Sequence, residues 1–163
     1  MAGCLTNCHL PDWECFDNLR QKRNSISSIV AGTLFGLGWW IIADAAAAYP
    51  DQNDFPKACH TCGVVSTLAL IMVNSVSNSQ VRGDTSDGGC LGSIGAKIWF
   101  FAGFILSFGA LIGSAWILFG MYVVNNLENR NDWPGIAVFL QNLLIFFSAI
   151  IFKFGRSEDL WDN

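Results

Sequence analysis

The chain has 163 residues, of which 52% are hydrophobic and only 13% charged, about half the ~25% charge of an ordinary soluble domain. Mean hydropathy is +0.39, and 16 Gly, 13 Phe and 7 Trp accompany the apolar excess, which is the composition of helices in lipid. Nine Lys and Arg against 13 Asp and Glu leave a net charge of −4 without a basic run, so the balance argues against nucleic-acid binding.

Residues 1–25 read as a tail and not as a secretory signal, because they contain no apolar stretch and place their cations after acidic residues. Crossing the ~30 Å hydrocarbon layer takes ~20 apolar residues, and four segments meet that length: about 26–49, 58–81, 98–125 and 134–153. The first contains one charge, Asp44. The second contains none, with Gly63 to Val76 as its membranous part. Pro134 opens the fourth, where the first helical turn tolerates it. The expectation is an all-α integral membrane four-helix bundle over residues 26–153, followed by a short tail over 154–163.

Lys and Arg beside spans are retained on the cytoplasmic side. With the N-terminus inside, that side holds Arg20, Lys22, Arg23, Arg82, Lys97, Lys153 and Arg156, against Lys57 and Arg130 outside. Both termini are therefore expected in the cytosol.

Asp44 is the one formal charge inside an apolar run, and a carboxylate in lipid is costly. It is expected to face the bundle, in a polar cluster with Ser66, Thr67 and Gln141, or with Asn142 in place of Gln141. A hydrogen-bonded clasp is the first reading of that cluster; a proton or ion relay is the second. Asn74 and Asn78 are four residues apart and share a face of the second helix, placed to bond a neighbouring helix, cap it or bind a partner subunit. Gly32-Thr-Leu-Phe-Gly36 and Gly109-Ala-Leu-Ile-Gly113 each place two glycines on one face, which permits close helix approach. They suit packing within the bundle first and packing against a partner second.

Of six cysteines, Cys59 and Cys62 lie in the segment expected outside, where a disulfide or thiol chemistry is chemically possible. A membrane thiol oxidoreductase using Cys59 and Cys62 is thus an alternative function, and a proton-coupled transporter using Asp44 a weaker one. Cys4, Cys8, His9 and Cys15 lack the paired spacing of a zinc site. The loop from Arg82 to Lys97 contains Arg-Gly-Asp on the side expected to be cytosolic, and it lacks a phosphate-binding Gly-Lys motif. Leu160 and Trp161 sit among acidic residues near the end and read as a docking peptide or interfacial anchor. No catalytic, cofactor or metal constellation emerges.

A longer pattern runs from about Arg23 to Trp161. It includes Gly38-Trp39-Trp40-Ile41-Ile42 with Asp44-Ala45, Asn74-Ser75-Val76-Ser77-Asn78, Gln80-Val81-Arg82-Gly83-Asp84, Trp116-Ile117-Leu118-Phe119-Gly120, Pro134-Gly135-Ile136-Ala137-Val138 and Glu158-Asp159-Leu160-Trp161. In these motifs the chain resembles the transmembrane protein 50 family of small four-span proteins, which includes the fungal vacuolar protein sorting 68 protein. The resemblance implies an endomembrane protein of endosome, Golgi or endoplasmic reticulum, without enzymatic activity or cofactor. It also implies partnership with other integral membrane proteins, among them a second four-span protein similar to the leptin receptor overlapping transcript protein. Plasma-membrane residence as an accessory subunit of a receptor, channel or transporter is compatible with it. The family pattern His-x-Cys-Gly is met by His60, Cys62 and Gly63, whereas Cys59 and the Cys-rich N-terminus depart from it.

Overall fold

The computed structural model describes residues 12–51, 55–82, 92–124 and 131–155. Helix α1 covers Asp12–Ala48, α2 Cys59–Asn74, the short α3 Asn78–Arg82, α4 Gly92–Ile117 and α5 Trp133–Gly155. A π-helical segment, Leu118–Val123, continues α4. Three of these, Lys22–Ala48 within α1, α4 with its π extension and α5, are long and apolar enough to cross a membrane.

The α5 helix is the hub. The α1 helix packs along it on one side, and α2 and α4 pack together and against it on the other, with no comparably extensive contact among the described residues between α1 and either α2 or α4. Two adjacent α5 residues, Gln141 and Asn142, are consequently both fully buried, because their directions differ by about 100° and each meets a neighbour. Close approach relies on glycines. A Cβ on Gly103 would stand 2.9 Å from Met72 Cβ, and one on Gly135 would stand 2.6 Å from the Tyr122 ring.

These contacts also fix which ends lie together. At one end Ile42, Ala45, Phe55, Cys59, Ala137 and Val138 form a core. At the other, Ser27 touches Gly155 and Trp99 donates to Ser75 Oγ at 3.0 Å. The chain therefore runs up, down, up and down, with the beginning of the α1 span beside the end of α5.

Two boundaries differ from the sequence expectation for a physical reason. The chain is already helical at Asp12, the first described residue, well before the span, since a helix needs lipid around its apolar part only. The α2 helix stops at Asn74, and α3 restarts with a reciprocal cap. Ser77 Oγ accepts from Gln80 N–H at 3.2 Å, and Gln80 Oε1 accepts from Ser77 N–H at 3.1 Å. This is the capping box that the sequence Ser-x-x-Gln spells. The break separates Asn74 from Asn78, so they do not share one helical face; Asn74 Nδ2 instead donates to Leu70 O at 2.8 Å.

Candidate functional site

Several buried polar residues of the spans share one inner layer. The inner layer centres on α5. Asn142 Nδ2 donates to Val138 O at 2.8 Å, which holds the amide so that its Oδ1 accepts from Ser66 Oγ on α2. Ser66 and Asn142 are both buried. Gln141 lies beside them against α2, where a Cβ on Gly63 would fall 2.4 Å from its Nε2. Glycine at position 63 is what admits the carboxamide. Among the described residues neither Gln141 Nε2 nor Oε1 has a hydrogen-bond partner, an expensive state for a buried amide.

The expected cluster is therefore assembled only in part. Ser66 and Gln141 are brought to one layer, with Asn142 added. Thr67 turns its hydroxyl to Gly63 O on its own helix at 2.8 Å. Asp44 does not join, because it is exposed on the side of α1 away from α5, while its neighbours Ile42 and Ala45 face the core. The Gln141 carbonyl lies level with Gly38, 3.2 Å from a Cβ placed there. That is six residues, or roughly 9 Å, along α1 from Asp44. A buried Asp44 would thus miss the layer's polar groups, whereas Ala45 lets α1 lie flush on α5.

The glycine pairs also fall differently from the first reading. Gly32, Gly36 and Gly109 have open space where a side chain would go, and Gly113 has only Cys62 Sγ at 3.7 Å. Three of the four thus leave open the faces they occupy, and packing within the bundle is done instead by Gly38, Gly63, Gly103 and Gly135. No pairwise motif marks these four, since they lie on α1, α2, α4 and α5 singly.

Between α1 and α2 lies an open apolar groove of about 280 Å³, lined by Ser28, Ala31, Gly32 and Phe35 of α1, Thr67, Leu70 and Ile71 of α2, and Ser148 and Phe152 of α5. Ser148 closes its floor by donating to Ala31 O at 2.8 Å. Near the Ser27 end, Lys153 is buried. Its ammonium donates to Val76 O just beyond α2 and lies 5.6 Å from the centre of the Phe100 ring. A cation suits the carbonyls freed at a helix C-terminus.

Cys59 and Cys62 are not joined in a disulfide. Cys59 is 2% exposed within the apolar core, and Cys62 faces Gly113 on α4. Among the described residues no three His, Cys, Asp or Glu side chains converge. Leu160 and Trp161, like Cys4, Cys8, Cys90 and the Arg-Gly-Asp aspartate, lie outside the described residues.

Antiparallel apolar helices packed around a hub, three of them long and apolar enough to cross a membrane, define a multi-pass helical membrane protein. Residues 4–161 match the model of the uncharacterised protein family UPF0220, and the chain belongs to that family. It is 30% identical over 147 residues to the transmembrane protein 50 homolog of Dictyostelium discoideum, covering 82% of this chain and 92% of that one. It is 31% identical over 148 residues to the vacuolar protein sorting-associated protein 68 of Saccharomyces cerevisiae, covering 75% of this chain and 76% of that one. No solved structure matches it.

Proposed function

We propose that the chain is a non-catalytic membrane protein that binds other integral membrane proteins during endosomal and Golgi sorting. The observation that carries this reading is the hub arrangement. The α1 helix is held by α5, and among the described residues nothing lies within 4 Å of where a Cβ on its glycines at 32 and 36 would stand, although glycine faces are the usual means of close helix association in lipid. The vacuolar-sorting name of the yeast relative supports the cellular setting. A second four-span protein, similar to the leptin receptor overlapping transcript protein, is the leading partner by resemblance. Service as an accessory subunit of a receptor, channel or transporter would use the same surfaces.

The thiol oxidoreductase reading draws little support from the geometry, because thiol–disulfide exchange needs an accessible attacking sulfur and Cys59 is buried among Ile42, Ala45 and Phe55. A relay through Asp44 lacks a continuous chain to Gln141 and Asn142. The test is expression in yeast lacking the relative, with vacuolar delivery of a sorted cargo and mild-detergent purification read together. Restored delivery with a stoichiometric membrane partner is expected. Restored delivery by a chain that purifies without any membrane protein would overturn the reading.

A further inference from the structure

The α1 residues Ser28, Gly32, Gly36, Trp40 and Asp44 are spaced by four and form one ridge. All five are exposed, with Trp40 at 75%. Exposure alone says nothing in a membrane, since lipid covers apolar faces. Asp44 is the exception. The Lys22–Ala48 span is centred on Phe35, and Asp44 lies nine residues beyond it. At 1.5 Å per residue that is roughly 13–14 Å from the midplane, just inside the ~15 Å half-thickness of the hydrocarbon. Among the described residues it has neither hydrogen bond nor ion pair, and its short side chain limits its reach toward water.

We infer that the Gly32–Gly36–Trp40–Asp44 ridge is the docking face for a transmembrane helix of another protein, one that brings a cationic side chain to the depth of Asp44. Charge complementarity selects this occupant. A second copy of this chain has the same orientation in the membrane, so two-fold packing along the ridge would set Asp44 against Asp44, a like-charge pair in a medium that screens poorly. A lipid tail offers the carboxylate nothing. A Lys or Arg on the partner neutralises it, and the open space at Gly32 and Gly36 lets the two backbones approach closely enough for that contact.

The inference rests on the partner-binding reading and locates its surface. The test uses the full chain, donor-labelled in phosphatidylcholine vesicles, with acceptor-labelled synthetic Leu/Ala transmembrane peptides whose guest residue, one turn inside the end, is Lys, Leu or Asp. Energy transfer should show the Lys peptide binding at least tenfold more tightly than the Leu peptide. Asp44→Asn should reduce that preference to under twofold, and Asp44→Lys should transfer it to the Asp peptide. Gly36→Leu should weaken the Lys peptide as well, in a chain whose detergent melting temperature is unchanged, because position 36 is open. Equal binding of Lys and Leu peptides, a Lys preference that survives Asp44→Asn, or stronger transfer between two labelled copies than to any peptide would overturn it. In cells, a partner that still co-purifies with Asp44→Lys and with Gly36→Leu sinks this surface alone, while the absence of any partner sinks the broader reading.

Discussion

Gln141→Leu should make the protein more stable and less functional. The side chain is fully buried, both amide heteroatoms lack partners among the described residues, and Gly63 has given up its own Cβ to admit them. Protein mutational data put a buried unpaired amide at roughly 1–3 kcal/mol. Leucine ends one bond nearer the backbone and has one heavy atom fewer, and that smaller filling costs about 0.8 kcal/mol. The balance is a gain of about 1 kcal/mol, which for a chain of this size corresponds to a rise of about 2–4 °C in melting temperature. Thermal unfolding in mild detergent, followed by tryptophan emission, measures it, with Gln141→Ala as the control that leaves a cavity and melts lower. A Leu variant melting 2 °C or more below wild type would refute the reasoning, because it would mean that the carboxamide is satisfied. If Leu stabilises while cargo delivery falls, the amide is retained for function.

Gly103→Leu should destabilise strongly, because its Cβ alone comes within 3.1 Å of the Val73 backbone nitrogen; Gly109→Leu, with open space, should melt within about 1 °C of wild type. Overpacking of this kind costs about 1–3 kcal/mol, and equal melting of the two variants would show that the α2–α4 contact is misjudged. Both tails are expected in the cytosol, so maleimide should label Cys4 only after permeabilisation, and labelling in intact cells would reverse the orientation. Cys59→Ser is expected to restore cargo delivery as well as wild type does; complete loss together with a trapped mixed disulfide would revive the oxidoreductase. Deletion after Arg156 removes Leu160 and Trp161 and should lower partner recovery severalfold without moving the melting temperature.

The helical class, the three long apolar helices and the family were legible in the linear chain, because a membrane demands uninterrupted apolar length, whereas the second segment, read as 58–81, forms a helix only over Cys59–Asn74. Even the α2–α3 break was written there as Ser77-Asn78-Ser79-Gln80, a capping signal hidden by the absence of charge. Which side of each helix turns inward was not legible. In a soluble protein the polar face of a helix marks the outside, but here lipid and core are equally apolar, so Ile29 at 68% exposed and Ile42 at 2% look alike as residues. Tertiary contact decided it. The fit of Gly38, Ile42 and Ala45 against α5 sent Asp44 outward, the missing Cβ of Gly63 drew Gln141 inward, and neither choice follows from hydropathy, because close packing in lipid depends on shape complementarity between helices far apart in the chain.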